Sequence, residues 1–304
     1  MTIQRWYDDL TTKISRKCVK IDEPLYVHTM TKLGGRADLF VAPRTEEETM
    51  FVVAYAHQHQ IPLLLLGNGS NMVVRDGGVR GIVLNLSALD RVEINGTRVY
   101  AESGADIIDV SRAAAKETLT GLEFACGIPG SIGGAMAMNA GAYGGEIKDI
   151  IYQATVLTHT GEKLVLSKEE LELDYRKSII TKKGYYVLSA EFDLEPGNQL
   201  LIDSKVADLT HLRESKQPLE YPSAGSVFKR PPGHFAGKLI QDCKLQGKGF
   251  GGAEVSTKHA GFIINKNNAT ATDYIRTIEM VRTKVKEQFG VELELEVKIV
   301  GENA

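Results

Sequence analysis

Over the last stretch of the chain apolar and polar residues alternate: Val291, Leu293, Leu295, Val297 and Ile299 fall on one face, Glu292, Glu294, Glu296 and Lys298 on the other. A period of two predicts a β-strand with one wet face. Just before it the period becomes that of a helix. Residues 271–289 place Ile275, Ile278, Val281, Val285 and Phe289 on one stripe, and Gly290 supplies the stop. Earlier in the chain, Thr45 and Glu48 form a capping box that opens a helix running to about residue 59. A buried strand is predicted at Leu63–Leu66, another at Gly81–Leu86, and a hairpin from Arg91 to Glu102 turning on Asn95-Gly96 in a type I′ turn. A helix over 105–119, a hairpin about Thr160-Gly161 and a strand near 186–194 follow. Turn formers cluster at Glu195-Pro196-Gly197-Asn198 and predict a boundary. Beyond it come a helix near 204–215, a loop over 221–234 and a strand at Gly261–Asn265.

Glycine changes this picture. Eight glycines fall within residues 121–145, against a usual share of roughly 7%, so that stretch is a backbone region where something approaches closely. It holds Gly127-Ile128-Pro129-Gly130-Ser131-Ile132-Gly133-Gly134-Ala135, then Asn139-Ala140-Gly141-Ala142-Tyr143-Gly144-Gly145. A shorter run, Gly67-Asn68-Gly69-Ser70-Asn71, ends the predicted strand at 63–66, the place where sheet proteins of this build bind ligands. Either run alone also reads as a tight structural corner. Together their closely spaced N–H groups can share the two phosphates of a dinucleotide. The shorter run carries neither the Rossmann spacing nor the Gly-Lys-Ser/Thr of a P-loop. The small residues of Asn139–Gly145 would admit a flat ring system, with Tyr143 either beside it or half-buried in the core.

Charge and cysteine usage narrow the classes. With 36 Lys and Arg against 39 Asp and Glu, the net charge of −3 leaves no basic footprint for nucleic acid or an anionic membrane. Cys18, Cys126 and Cys243 are odd in number and widely spaced, so no disulfide framework and no metal site is expected. The first residues lack the apolar core of a signal peptide and no apolar run reaches membrane length, which predicts a cytoplasmic protein with no obligate protein partner implied. A chain of 304 residues suffices for two or three domains.

Three further places could carry chemistry. Tyr175-Arg176-Lys177-Ser178 sets an always-ionised fork beside an aromatic ring, which suits a carboxylate as well as a solvated face. Ser226 lies in Pro222-Ser223-Ala224-Gly225-Ser226-Val227-Phe228-Lys229-Arg230-Pro231 beside a cationic pair, with no His or Asp spacing of a triad. Glu296 is either a functional carboxylate or an edge-strand charge.

As an ordered set these motifs resemble the UDP-N-acetylenolpyruvoylglucosamine reductase family of cell-wall precursor synthesis. The carriers are Leu33-Gly34-Gly35-Arg36-Ala37, the runs at 67–71, 127–135 and 139–147, YRKS at 175–178, AGSVFKRP at 224–231 and the glutamate within residues 293–301. The resemblance implies an α+β fold: a two-domain FAD-binding cradle of the vanillyl-alcohol-oxidase (PCMH-type) kind with a third α+β substrate-binding domain. Its divisions would be 1–86 with the C-terminal strand 291–304, 87–197, and 198–290. FAD, held non-covalently, would be bound by Gly67, Asn68, Gly69, Ser70, Asn71, Gly127, Ile128, Pro129, Gly130, Ser131, Gly133, Gly134, Ala135, Asn139 and Gly141. No histidine lies in either glycine loop, which argues against a histidyl link, while Cys126 leaves a thioether link open.

The same resemblance implies that NADPH reduces FAD and that hydride then adds to C3 of an enolpyruvyl ether on a UDP-sugar. Ser226 would give the proton to C2, while Arg176 and Glu296 would stabilise the enolic intermediate. Tyr175, Lys229 and Arg230 would contact substrate. The chain departs from the family in having Arg230 where FKNP is common, and Leu295 where LEPEV has proline. Two rivals use fewer of these motifs. A flavin oxidase of alcohols or sugars would not need Ser226 and Glu296 together, and a flavin carrier would not need YRKS.

Overall fold

In the computed structural model, which describes residues 2–304, the chain divides into two compact units. Unit 1 comprises residues to Ile21, Leu39–Asn68 and Gly81–Arg213; unit 2 comprises Asp22–Asp38, Gly69–Arg80 and Glu214–Ala304. One crossing between them falls inside the first glycine-rich run, between Asn68 and Gly69.

Unit 1 is built on a five-stranded antiparallel sheet whose spatial order is Lys163–Ser167, Ile151–Leu157, Tyr186–Asp193, Arg98–Glu102 and Val92–Asn95. Its buried face, with Val99, Ala101, Val156, Ala190 and Phe192, is covered by Ile107, Val110 and Ala114 of the helix Ile107–Lys116 and by Ile132 and Met136 of the helix Ile132–Met138. Each of the larger of these side chains removed from water contributes about 1.5–3 kcal/mol before the entropy of ordering is set against it. A second core joins Val52, Val53 and Ala56 of the helix Glu46–Gln58 to Leu39, Val41, Ile82 and Leu84, where Leu63–Leu65 pairs in parallel with Ile82–Leu84. Thr45 caps that helix as expected, accepting from the Glu48 N–H at 3.1 Å, but Glu48 reaches back to the N–H of Arg44 rather than of Thr45.

The predicted hairpin at 91–102 forms with a different turn. Asn95 pairs with Arg98, leaving Gly96-Thr97 as the two turn residues, and of these only Gly96 has a positive φ, 60°. That is the requirement of a type II′ turn, with glycine at the first central position. The turn formers at 195–198 do not end the unit. Glu195–Pro196 pairs with Leu119–Thr120, and the helix Gln199–Lys216 carries the chain on to its crossing after Arg213.

Unit 2 has a four-stranded antiparallel sheet in the order Ser223–Ser226, Phe262–Asn265, Ala253–Val255 and Gly249–Phe250. The helix Ala271–Phe289 packs on it and ends at Gly290, whose φ is 70°. Its stripe is centred on Tyr274, Ile278, Val281 and Val285, all fully buried, whereas Ile275 is half-buried and Phe289 is exposed beyond the end of the sheet. The Tyr274 hydroxyl donates to the Ile263 carbonyl at 2.8 Å and the buried Thr277 hydroxyl to the Asp273 carbonyl at 2.9 Å, which satisfies the polar atoms on that face.

The last strand keeps its alternation of buried and exposed positions but not its continuity. Leu295 forms a single antiparallel bridge with Phe228, and regular pairing begins only at Lys298–Val300, in parallel with Met72–Val74. The break has a local cause. The Val227 carbonyl accepts from both Glu296 (2.8 Å) and Val297 (3.4 Å), so two residues face one and the ladder bulges.

Candidate active site

Within unit 1 the two glycine-rich runs meet. The Asn85 carboxamide donates to the Leu66 carbonyl at 2.8 Å and to the Gly67 carbonyl at 3.3 Å, fixing where the strand turns into the loop. Gly67 then lies so close to the second run that a methyl group on it would stand 2.9 Å from Ser131 Oγ. Asn68 Nδ2 donates to Asp106 at 2.7 Å, and the N–H of Ile107 donates to the Gly130 carbonyl at 3.0 Å. Burial and the neighbouring Asp109 carboxylate push the Asp106 pKa up, while the Asn68 hydrogen bond pulls it down.

The glycines of the second run have separate reasons. Gly133 is pressed against Ser103, and a side chain there would overlap the serine hydroxyl. Gly134 is exposed, its nearest neighbour on that side being Ser131 Oγ at 3.7 Å. Glycine in a helix costs about 1 kcal/mol against alanine, and no protein atom requires it at 134. Ser131 accepts from the Gly134 N–H at 3.4 Å and so shapes the turn into this short helix.

Arg213, absent from the sequence reading, completes this region. From the helix Gln199–Lys216 it packs on the second run, its Cδ 2.7 Å from where a Gly127 side chain would begin. The guanidinium is half-buried, and among the described residues no carboxylate pairs with it. Burial lowers its pKa, with the Tyr143 and Cys126 side chains acting in the opposite sense. A buried cation without a counter-ion is costly, and an anion seated at the glycine runs would relieve that cost. The signal in the sequence was faint: positions three and four residues either side hold Leu209, Thr210, Lys216 and Gln217, none acidic.

Beyond the second run Asn139 caps its helix in the left-handed region at φ 44°. Its amide donates to Glu146 (2.9 Å) and to the Asp174 carbonyl (3.2 Å), and its oxygen accepts from the Lys148 N–H (2.9 Å). That side chain is taken up in holding the fold. Tyr143 is exposed, also at positive φ, 53°. Arg176 sits at the tip of a turn closed by two backbone bonds between Asp174 and Lys177, of 3.1 and 3.0 Å, which hold it at φ 55°. A non-glycine residue in that region is strained and persists where its surroundings over-determine it. The Tyr175 ring lies beside it, half its surface open to solvent, with the guanidinium 5.6 Å from the ring centre.

Unit 2 holds the remaining candidates. Gly69, at φ 61°, passes so close to His28 and Thr29 that a side chain would stand 2.6 Å from the His28 carbonyl. In the strand Ser223–Ser226, Ser223 faces Ile264 and Ser226 faces Phe262, so three steps match two. The extra residue is a bulge with Gly225 in the left-handed region at φ 73°, and it turns the Ser226 hydroxyl outward while Ala224, Val227 and Phe228 stay buried. Glu296 is fixed to the same strand through its N–H on the Val227 carbonyl, 2.8 Å, and its own carbonyl accepts from Asn71 Nδ2 at 3.0 Å. Lys229 pairs with the exposed Glu294 at 3.3 Å, and Arg230 stacks 4.0 Å over the exposed Phe235 ring.

Comparison with known proteins places these features. Residues 37–167 match the family model described as an FAD binding domain, and residues 217–300 match the C-terminal domain of UDP-N-acetylenolpyruvoylglucosamine reductase. A UDP-N-acetylenolpyruvoylglucosamine reductase of Geobacillus thermodenitrificans (strain NG80-2) is 61% identical over 97% of this chain and 97% of its own. The chain belongs to the UDP-N-acetylenolpyruvoylglucosamine reductase family. This family member is an FAD-dependent oxidoreductase, and the expected α+β fold with its PCMH-type cradle is borne out. The crystal structure of the Thermus caldophilus reductase superposes with a TM-score of 0.79 at 32% identity, covering 92% of this chain and 97% of that one. A glucose dehydrogenase, Phl p 4.0202, shares the fold over 64% of this chain and 44% of its own, with a TM-score of 0.51 at 15% identity. Among the described residues of this reductase-family chain no helix is long and apolar enough to cross a membrane, and no cluster of His, Cys, Asp or Glu could hold a metal ion.

Proposed function

We propose that this chain reduces UDP-N-acetylglucosamine enolpyruvate to UDP-N-acetylmuramate, a cytoplasmic step of peptidoglycan precursor synthesis, with NADPH as hydride donor. The observation that carries this reading is the joining of Ser226 and Glu296 through the Val227 carbonyl on a bulged strand. A flavin oxidase or carrier has no use for that pair.

The cradle residues fit FAD. Gly67, Asn68 and, in the second run, Gly127, Gly130 and Ser131 offer backbone donors to its pyrophosphate, Arg213 supplies the counter-charge, and the open face of Gly134 leaves room for close approach. FAD, when bound, would supply the redox chemistry, namely hydride transfer from NADPH to C3 of the enolpyruvyl group. The protein's own groups then manage charge and proton. As the C2–C3 double bond opens, negative charge moves toward the substrate carboxylate. Arg176, a rigid fork with permanent charge, suits that carboxylate, and Glu296 joins it in stabilising the enolic form. The Ser226 hydroxyl gives its proton to C2, completing two C–H bonds for one C=C lost, and regains a proton from the solvent to which it is exposed. Tyr175, Lys229 and Arg230 are proposed contacts to the UDP-sugar; Lys229 can leave its exposed partner Glu294 at little cost. In this reading residues 1–86 and 87–197, with the strand 291–304, form the flavin-binding domains and residues 198–290 the substrate-binding domain, with Arg213 serving the flavin and Arg176 and Glu296 the substrate as exceptions.

Anaerobic rapid-mixing spectroscopy tests the proposal. Ser226→Ala should keep flavin bleaching by NADPH while slowing its recovery with UDP-N-acetylglucosamine enolpyruvate by about 100-fold or more. Equal loss in both half-reactions would overturn the proton-donor role.

A further inference from the structure

Asn71 closes the first glycine-rich run, a motif whose composition points to phosphate, yet it belongs to unit 2 and its amide donates to the carbonyl of Glu296, 225 residues away, at 3.0 Å. A second bond runs the other way, from the Lys298 N–H to the Asn71 carbonyl, also 3.0 Å, and opens the parallel pairing of Lys298–Val300 with Met72–Val74. Glu296 lies just where regular pairing fails, between the single bridge at Leu295 and the ladder that begins at Lys298. Its N–H is anchored on Val227, next to Ser226, at 2.8 Å. Its C=O receives the Asn71 side chain. The two peptide groups that flank the Glu296 Cα are thereby each fixed, the first by the Val227 carbonyl at 2.8 Å, the second by Asn71 at 3.0 Å together with a longer bond of 3.4 Å from the Val297 N–H to the Val227 carbonyl.

We propose that Asn71 is a positioning residue for Glu296, orienting its carboxyl group through the carbonyl hydrogen bond. The inference rests on the role of Glu296 in enol stabilisation proposed above. A peptide plane that can turn swings the side chain attached to it, and displacing a reacting group by about 1 Å costs on the order of 100-fold in rate. Asparagine suits the task because its short side chain carries N–H donors. Aspartate has the same shape but sets an oxygen against the carbonyl oxygen. The main-chain bond from Lys298 survives any substitution at 71, so the change falls on Glu296 and not on the strand pairing as a whole.

The test is a double-mutant cycle on flavin-loaded enzyme with the two half-reactions measured separately. Measured on the flavin-loaded fraction, Asn71→Asp should slow recovery with the enolpyruvyl substrate about 100-fold more than it slows bleaching with NADPH. Placed on Glu296→Gln, the same change should cost no more than about twofold further, because a residue acting through Glu296 has nothing left to orient. Asn71→Ser, smaller and still polar, provides the same comparison should the aspartate variant not fold. Complete loss of flavin, equal slowing of both half-reactions, or full additivity with Glu296→Gln would overturn the proposal. If Glu296→Gln alone leaves recovery unchanged, the reading of Glu296 itself falls; if Glu296→Gln slows recovery and the Asn71 variants do not, only the role of Asn71 falls.

Discussion

Around the cradle of unit 1, position is set by side chains that are missing: Gly67 against Ser131, Gly127 against Arg213, Gly133 against Ser103. In unit 2 it is set by polar side chains that hold the backbone of distant segments. Asn71 reaches the Glu296 carbonyl, Asp76 accepts from the N–H groups of Ala271 and Thr272 at 2.8 Å each, and Asn265 donates to the Thr31 carbonyl at 3.0 Å across 234 residues. The two arrangements fail in opposite ways. A close approach is spoiled by adding atoms, a bridging hydrogen bond by taking them away.

That contrast is most severely tested at neighbouring glycines. Gly133→Ala should lower stability by about 3 kcal/mol, since the new methyl overlaps the buried Ser103 hydroxyl. Gly134→Ala should instead stabilise the flavin-free protein by up to about 1 kcal/mol and weaken flavin retention. Thermal unfolding with and without flavin reads both, and equal behaviour of the two variants would break the distinction. Deletion is tested at Asp76, whose carboxylate also accepts from the Thr272 hydroxyl at 2.6 Å. Asp76→Ala leaves the start of the helix Ala271–Phe289 without that acceptor and should cost about 2 kcal/mol in denaturant unfolding. A loss below a few tenths would show that water replaces it fully.

The smallest expected effect sharpens the account of unit 2 through pH. Burial lowers the His259 pKa, partly offset by a hydrogen bond to the residue's own backbone, while the Gly261 N–H, donating to Nδ1 at 3.1 Å, favours the neutral ring. Below the ordinary imidazole value of about 6.5 the unfolded chain takes up a proton that the folded ring refuses, so stability should decline as pH falls through that value. His259→Gln should remove roughly half a kcal/mol of the decline between about pH 7 and about pH 5.5, solvent screening of a partly exposed ring being allowed for. Parallel stability curves for the two proteins would exclude this contribution.

What could be read in the sequence was what is local. The helix Ala271–Phe289 shows its period and its terminal glycine within twenty residues. The second glycine run announces itself by composition alone. Asn71 could not be assigned in this way, because its partner lies at the other end of the chain and the motif around it speaks for phosphate. Arg213 was hidden for the same reason: a helix arginine is unremarkable until Gly127 is found beneath it. The break at Glu296 escaped notice because alternation reports which way side chains face, not which carbonyl each N–H finds.

The path of the chain has one more consequence. It passes between the units after Ile21, Asp38, Asn68, Arg80 and Arg213, and the core of unit 2 includes Leu33 and Val73 from the first quarter of the sequence. The stretch recognised as a C-terminal domain, 217–300, is therefore only part of a folding body. A gene exchange that moved it alone would import a helix and a sheet without the residues that fill the space beneath them. Such a pair of bodies can diverge in place, but neither can be inherited as a module.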